Sequence, residues 1–184
     1  MIIEGENIKL RPITQDDIEC FLEWFNDPEI VRYLTVYLPM TRLGEEEWIK
    51  QVMEKQQPVF TITIRPKTGP IRDTPIGNCG FHDIDHRNQK ATLGLVVGEK
   101  LEWGRGYGTE ALKLLIQYGF NYLNMNRISS SAIVANTGSI KAHEKAGFKK
   151  EGFARQAYWC PDGYYSDAVM FSILRKDWRK NNKK

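Results

Sequence analysis

The sequence predicts one mixed α/β domain with a largely antiparallel sheet, and three observations support this. The chain has 184 residues, an ordinary size for one domain. Its early strand-like segments alternate apolar and polar residues, as strands do in an antiparallel sheet with one face on the core. Helical segments separate the later strands, which is typical of helical crossovers. The predicted order of elements is β-α-α-β-β-β-α-β-α-β-β.

The first half of the chain is predicted to hold a strand and two helices before the sheet continues. Residues 7–13 alternate apolar and polar side chains, which predicts a strand. Residues 18–25 carry apolar side chains at i, i+3, i+4 and i+7, which predicts a helix that Asn26-Asp27-Pro28 ends. We expect residues 29–44 to be irregular and residues 45–56 to form the second helix.

The second half is predicted to alternate strands, turns and helices. Strands are expected at residues 59–64, 75–84, 90–97, 127–134, 152–159 and 167–174, with a Gly/Pro turn at 67–74. Helices are expected at residues 109–122 and 139–146, the second ended by Gly147 as a C′ glycine. Residues 179–184 are interpreted as a solvated basic tail, so the domain spans residues 1–178.

Composition and charge exclude several classes of protein. Hydrophobic residues make up 41% and charged residues 27%, as in an ordinary globular protein. The net charge of +3 is too small for a dedicated nucleic-acid binder, but suits a protein that holds one small polyanion. We find no signal peptide and no apolar run long enough to span a membrane, and therefore expect a cytoplasmic protein without a membrane partner. The cysteines, Cys20, Cys79 and Cys160, form no CxxC pair, so neither disulfides nor a metal site is expected.

A glycine-rich segment carries the strongest functional signal. Gly104, Gly106 and Gly108 lie between a predicted strand and a predicted helix. Glycine lets a ligand approach the main chain, and the unpaired N–H groups of a helix N-terminus favour a phosphate or pyrophosphate. Arg105 adds a positive charge. The segment fits neither a P-loop, because no Lys precedes Thr109, nor a dinucleotide fingerprint, because its third glycine is misplaced.

This segment resembles the coenzyme A loop [QR]-x-x-G-x-[GA] of the Gcn5-related N-acetyltransferase (GNAT) superfamily, although Trp103 departs from its first position. Residues 136–148 resemble the block N-x-x-[SA]-x-x-x-[YH]-E-K-x-G-F, and residues 162–170 resemble a C-terminal hairpin of one branch of the family. That branch acetylates ribosomal-protein N-termini and polyamines. The resemblance covers about residues 7–178.

The resemblance implies a fold and a co-substrate. The fold is a six- or seven-stranded sheet, flanked by helices, whose fourth and fifth strands splay apart at residues 90–97 and 127–134. Acetyl-CoA is the implied co-substrate, with no metal. The residues expected to bind it are Val96, Val97, Gly98, Arg105, Gly106, Tyr107, Gly108, Thr109 and Asn136.

The implied chemistry is direct attack of an amine on the thioester in a ternary complex, with the Val97 N–H as donor to the oxyanion. His143 stands where the family usually has a tyrosine acid, so it either donates the proton to the leaving thiolate or only packs. Ser139 is the other candidate donor, or else a helix cap. Cys79 and Cys160 are expected to be structural, since the mechanism needs no protein thiol.

The general base of the predicted site does not follow from the resemblance. Thr92 stands where relatives often have a glutamate. Asp83 is our candidate base, acting through water. His82, Asp85 and Glu99 also lie at nearby strand ends and could act in the same way.

The predicted function is an acetyl-CoA-dependent N-acetyltransferase acting on a primary amine. A protein N-terminus of the ribosomal-protein type is the favoured acceptor, and a polyamine or an aminoglycoside is the alternative. A non-catalytic acyl-CoA-binding regulatory module is the alternative of another class. The sequence leaves open whether the protein forms a homodimer.

Overall fold

The structure, a computed structural model, describes residues 1–65 and 74–181. Along these residues the elements are β1 (Ile3–Glu4), β2 (Ile8–Pro12), α1 (Ile18–Phe25), α2 (Pro28–Val31), α3 (Arg42–Glu54), β3 (Val59–Ile64), β4 (Thr74–Asp85), β5 (Lys90–Val97), α4 (Tyr107–Asn121), β6 (Arg127–Ile133), α5 (Thr137–Ala146), β7 (Lys149–Cys160), β8 (Tyr164–Leu174) and α6 (Arg175–Asn181). The turn expected at residues 67–74 lies almost wholly outside the described residues, as do residues 182–184 of the expected tail, whereas residues 179–181 continue α6.

The strands form one mixed sheet in the order β1-β2-β3-β4-β5-β6-β8-β7, which confirms the α/β class. β5 and β6 run parallel, and the ladders β1–β2, β2–β3, β3–β4, β6–β8 and β7–β8 are antiparallel. Six or seven strands were expected and eight are present. The short β1 is the addition, because Ile3 and Glu4 pair with Leu10 and Lys9 of β2.

The ladder between β5 and β6 is short. Within the described part of the chain it joins Lys90 to Arg127, Ala91 to Ile128 and Thr92 to Ser129. Both strands continue past these pairs, β5 to Val97 and β6 to Ile133. The main-chain groups beyond the ladder are therefore not used in pairing these two strands.

The chain divides into two compact units, and the first comprises Met1–Gly80 and Leu95–Ala111. Its helices α1, α2 and α3 enclose an apolar cluster of Ile13, Ile18, Phe21, Trp24, Ile30, Ile49 and Val52. Asp17 is buried beside this cluster, where it accepts hydrogen bonds from Arg11 and from the Thr61 hydroxyl at 2.8 Å each. Burial raises the pKa of the Asp17 carboxyl, but these bonds and the one from the Thr14 N–H outweigh it, so the pKa is lowered overall.

The expectation that residues 29–44 are irregular is wrong at both ends of that segment. The helix predicted at residues 18–25 does end at Phe25, directly before Asn26-Asp27-Pro28. Pro28 also begins α2, because the Asp27 side chain accepts from the Glu29 N–H and caps the new helix. At the other end, α3 begins at Arg42 rather than at residue 45, since Thr41 is its N-cap and accepts from the Gly44 N–H at 3.2 Å.

The second unit comprises Phe81–Gly94 and Leu112–Lys184. The apolar stripe predicted for α4 is confirmed, since Leu112, Leu115, Ile116 and Phe120 are all buried. Gly119 lets α4 approach the sheet, because a Cβ there would lie 2.8 Å from both Ile128 and Phe81. Gly147 ends α5 in the left-handed conformation, with φ +98°, as predicted.

Two searches of the described residues bear on partners. No helix among them is long and apolar enough to cross a membrane. Residues 1–65 and 74–181 also contain no group of three or more His, Cys, Asp or Glu side chains placed to hold a metal ion.

Candidate functional site

The glycine segment of the first unit forms an open loop that leads into α4. Gly104 and Gly106 have φ of +76° and +90°, and a Cβ on either would meet no atom within 4 Å. The first helical bond of α4 runs from the Glu110 N–H to the Gly106 carbonyl at 3.0 Å. The N–H groups of residues 107–109 therefore have no acceptor within the helix, and they offer donors and partial positive charge to an anion.

Gly108 differs from the other two glycines of the loop. Its φ is not left-handed, and a Cβ would make ordinary contacts with the side chains of Val97 and Leu95 at 3.7 and 3.8 Å. The chain's own conformation therefore does not require glycine at this position. What glycine provides there is a bare main chain at the start of α4.

Trp103 fixes the loop to the end of β5. Its indole Nε1 donates a hydrogen bond of 2.7 Å to the Val97 carbonyl. Next to Val97, the Gly98 N–H donates to the Ile76 carbonyl at 2.8 Å, and Gly98 itself packs on the indole of Trp24. The departure at position 103 from the family motif thus has a structural role, since the tryptophan replaces a flexible polar side chain by one that anchors the loop.

Two acidic residues complete the surroundings of the loop. Glu102 forms an ion pair with Arg105 at 3.2 Å, so the positive charge predicted to face a phosphate has a partner in the free protein. Glu110, in the first turn of α4, accepts from the backbone N–H and the side-chain amide of Asn7 at 2.9 and 3.0 Å. Sequence analysis missed Glu110, because its partner lies 103 positions away in the chain.

In the second unit, Asn136 caps α5. Its side-chain oxygen accepts from the Ser139 N–H at 2.9 Å, so the alternative that Ser139 caps this helix is wrong. The amide Nδ2 of Asn136 has no hydrogen bond within the described residues and stays available to a ligand. The Ser139 hydroxyl lies 3.4 Å from Nδ1 of His143, at the limit of a hydrogen bond.

His143 is buried, with only 5% of its surface exposed. Its Nδ1 lies 2.8 Å from the Ser139 carbonyl, which can only accept, so Nδ1 carries the proton. Nε2 lies 2.9 Å from the Ser130 oxygen, whose hydroxyl donates to the Leu93 carbonyl at 3.0 Å. Burial lowers the pKa of His143, and the ring stacks on Phe171 with centroids 4.9 Å apart. Both ring nitrogens are therefore engaged, and the predicted acid role requires one of these bonds to break.

The predicted base lies beside a histidine on β4. The Asp83 carboxylate accepts from Nδ1 of His82 at 2.8 Å, and both side chains are exposed. Thr92 lies on β5 in the ladder with Ser129, half-buried, and supplies no group that titrates near neutral pH. Asp83 can therefore accept a proton only as part of its pair with His82.

Cys79 and Cys160 are buried, and all three cysteines are free thiols. Burial raises the pKa of Cys79, which keeps its sulfur protonated and unreactive. This agrees with the structural role expected for both buried residues.

Comparison with known proteins decides the family. The profile of the family described as "Acetyltransferase (GNAT) domain" matches residues 7–149. The chain belongs to the GNAT acetyltransferases. One relative, an uncharacterized N-acetyltransferase of Bacillus licheniformis called p20, is 33% identical over 178 residues, which cover 94% of this chain and 96% of p20.

Solved GNAT acetyltransferases share the fold. The ribosomal-protein-S5-alanine acetyltransferase from Vibrio fischeri superposes with a TM-score of 0.81 at 22% identity, over 97% of this chain and 98% of that one. The spermidine N-acetyltransferase from Vibrio cholerae, in complex with CoA and spermine, superposes with a TM-score of 0.83 at 18% identity, over 95% and 99%. The chain is thus an enzyme of the acetyltransferase class, and GNAT acetyltransferases use acetyl-CoA as co-substrate.

The loop of this GNAT chain fits a pyrophosphate, as the family requires. Its two left-handed glycines expose the main chain, and three N–H groups at the start of α4 lack helical acceptors. The binding roles predicted for Val96, Val97, Gly98, Arg105, Gly106, Tyr107, Gly108, Thr109 and Asn136 stay predictions, as do the catalytic roles of His143, Ser139 and Asp83.

Proposed function

We propose that this enzyme transfers an acetyl group from acetyl-CoA to the primary amine of a protein N-terminus, by direct attack in a ternary complex. The observation that carries the proposal is the open glycine loop at the start of α4, whose free N–H groups suit the diphosphate of a coenzyme. The acetyltransferase class is independent of this observation and rests on the family.

The binding of the coenzyme follows from the main chain. We assign the diphosphate to the N–H groups of residues 106–109, where the helix dipole and bare glycines favour an anion. Arg105 exchanges Glu102 for a phosphate oxygen when the coenzyme binds. Val96, Val97 and Gly98 offer main-chain groups to the pantetheine arm, and Asn136 offers its free Nδ2.

The chemistry requires an uncharged amine, a donor for the developing oxyanion and close positioning of the two reactants. Acetyl-CoA supplies the acetyl group as an activated thioester. The Val97 N–H is assigned as the oxyanion donor, at the end of β5 where the loop begins. Ser139 and His143 are assigned as proton donors to the leaving sulfur. For His143 this role requires one of its contacts with Ser139 and Ser130 to open. The pair of Asp83 and His82 is assigned to proton removal.

Charge favours the protein N-terminus over a polyamine as the acceptor. A polyamine carries several positive charges and needs an acidic pocket. The chain carries a net charge of +3, which does not favour a polycation as acceptor. A single N-terminal ammonium carries one charge, and its specificity comes from main-chain and side-chain contacts instead. The spermidine enzyme of Vibrio cholerae, as a neighbour in fold, keeps the polyamine as the second candidate.

The test is release of free CoA from acetyl-CoA with a panel of amines. The panel contains peptides beginning with Ala, Ser or Met, spermidine and an aminoglycoside, each also with its amine blocked. We expect turnover with at least one free peptide N-terminus and with no blocked one. Turnover confined to spermidine would replace the favoured acceptor by the second candidate. Absence of turnover with every amine would contradict the proposal.

A further inference from the structure

His82 and Asp83 form a pair that the strand geometry does not produce by default. Successive side chains of a regular strand point to opposite faces, which would separate these neighbours. Asp83, however, adopts a left-handed conformation with φ +50°, which aspartate tolerates better than most residues. This local kink in β4 brings its carboxylate to within 2.8 Å of the His82 ring. A strained residue that orients a side chain is typical of a functional position.

The pair fixes the tautomer of His82. A carboxylate only accepts hydrogen bonds, so Nδ1 of His82 carries the ring proton and donates a hydrogen bond to Asp83. Nε2 of the neutral ring then has a free lone pair. No hydrogen bond to this nitrogen is present within the described part of the chain, and the side chain is 58% exposed. His143, in contrast, has both nitrogens bonded and is buried.

The His82 ring lies over a glycine of the neighbouring strand. A Cβ on Gly94 would lie 3.8 Å from both Nε2 and Cδ2 of His82, an ordinary contact. Gly94 and Thr92 share one face of β5, because side chains two residues apart do so. Neither residue supplies a base. The nearby Asp85 and Lys90 pair with each other at 3.9 Å, which leaves Asp83 as the charged group in contact with the ring.

We propose that His82, oriented by Asp83, is the base that takes a proton from the acceptor ammonium, a role that rests on the proposed function. The proton moves from the ammonium nitrogen to Nε2, while Nδ1 keeps its own proton and its bond to Asp83. The freed lone pair forms the new C–N bond, and the C–S bond breaks with its electrons going to sulfur. The nitrogen then loses its second proton, which the thiolate takes up, so that the products are the amide and the free CoA thiol. The carboxylate stabilises the imidazolium that results. Asp83 thus acts as a positioning residue rather than as the base itself.

The first test compares three variants by kcat/KM against pH, with the best amine of the panel. His82→Gln is expected to lower kcat/KM at pH 7.5 by about 100-fold or more and to remove the acidic limb of the profile. Asp83→Asn, which keeps the left-handed conformation accessible, should lower kcat/KM by about tenfold. His86→Gln, which removes an exposed histidine of the next turn, is the matched control and should match the wild type. The KM for acetyl-CoA should stay unchanged in all three.

The second test needs no turnover. Long-range ¹H–¹⁵N spectra of the unliganded protein should show His82 as the Nδ1–H tautomer near pH 8, and Asp83→Asn should increase the share of the Nε2–H tautomer. A wild-type pH profile and wild-type kcat/KM in His82→Gln would overturn the proposal while leaving the acetyltransferase intact. So would an Nε2–H tautomer of His82 in the wild type. If the wild type acetylates no amine of the panel, the proposed function fails and the role of His82 fails with it.

Discussion

Gly98 is a position in the first unit where a single added methyl group should be destabilising. A Cβ on Gly98 would lie 2.1 Å from Cδ2 and 2.3 Å from Cγ of Trp24. Carbon atoms in contact are normally about 3.5–4.0 Å apart, so the indole would have to move by roughly 1.5 Å. Trp24 is only 4% exposed and its ring lies 5.7 Å from that of Phe21, so the movement displaces the apolar cluster as well.

The cost follows from overpacking. Forcing an extra carbon into a well-packed core destabilises a protein by about 1–3 kcal/mol. Replacing glycine stiffens the unfolded chain and returns roughly 0.4–1 kcal/mol. The Gly98 N–H bond to Ile76, 2.8 Å long, limits how far the main chain can yield. We therefore expect Gly98→Ala to lower the free energy of unfolding by about 2 kcal/mol, which is the upper end of the overpacking cost less the upper end of the gain from the stiffer unfolded chain.

Urea unfolding, followed by circular dichroism, measures this loss. Gly138→Ala is the matched control, because a Cβ there has its nearest neighbour, Asn136 Oδ1, at 3.7 Å and the residue lies inside α5. The control should be neutral or more stable by about 0.5 kcal/mol. If Gly98→Ala unfolds at the wild-type urea concentration with an unchanged slope, the close packing of Trp24 on Gly98 is not what stabilises this unit.

Three further predictions concern the loop and two buried titratable groups. Gly106→Ala strains a left-handed position by roughly 1 kcal/mol and should weaken CoA binding by tenfold or so in calorimetry, whereas an unchanged Kd would exclude a role for this conformation. Asp17→Asn should lower the free energy of unfolding by about 3 kcal/mol at pH 7, because it removes the buried carboxylate that accepts from Arg11 and Thr61. Because the pKa of Asp17 is lowered from 3.8, the wild type should lose this contribution as the pH falls below about 3.8, and the variant should show no such loss. Burial lowers the pKa of His143 from 6.5, so wild-type stability should decline as the pH falls below that value, and His143→Phe, which keeps the stack on Phe171, should decline less in urea titrations.

Local patterns were enough to predict much of the fold. The alternation of β-branched and other apolar residues in Val59–Ile64 predicted that strand with its bounds, and the bounds predicted for the strand Lys90–Val97 are also those observed. The start of α2 was missed because Asp27-Pro28 resembles a helix end, yet an aspartate cap followed by proline is also a helix start.

The candidate site, like the fold, could be predicted from the sequence only in part. The glycine loop could be predicted because it is contiguous in sequence and its residue type has a physical reason. The contacts of Trp103 with Val97 and of Ser130 with His143 could not, because each depends on where the folded main chain places a side chain. Asp83 was predicted as a base, but its left-handed conformation, which joins it to His82, has no signature in the residue pattern.

The indole of Trp103, which anchors the loop, also gives the loop a fluorescence signal. Trp103 is 42% exposed and bonded through Nε1 to the end of β5, so its fluorescence depends on the arrangement of the loop. The chain has four other tryptophans, Trp24, Trp48, Trp159 and Trp178. A chain with phenylalanine at those four positions would carry one emitter, next to the proposed diphosphate contacts. The side chain that departs from the family motif would then serve as a built-in optical reporter of coenzyme arrival, readable by stopped flow without a label.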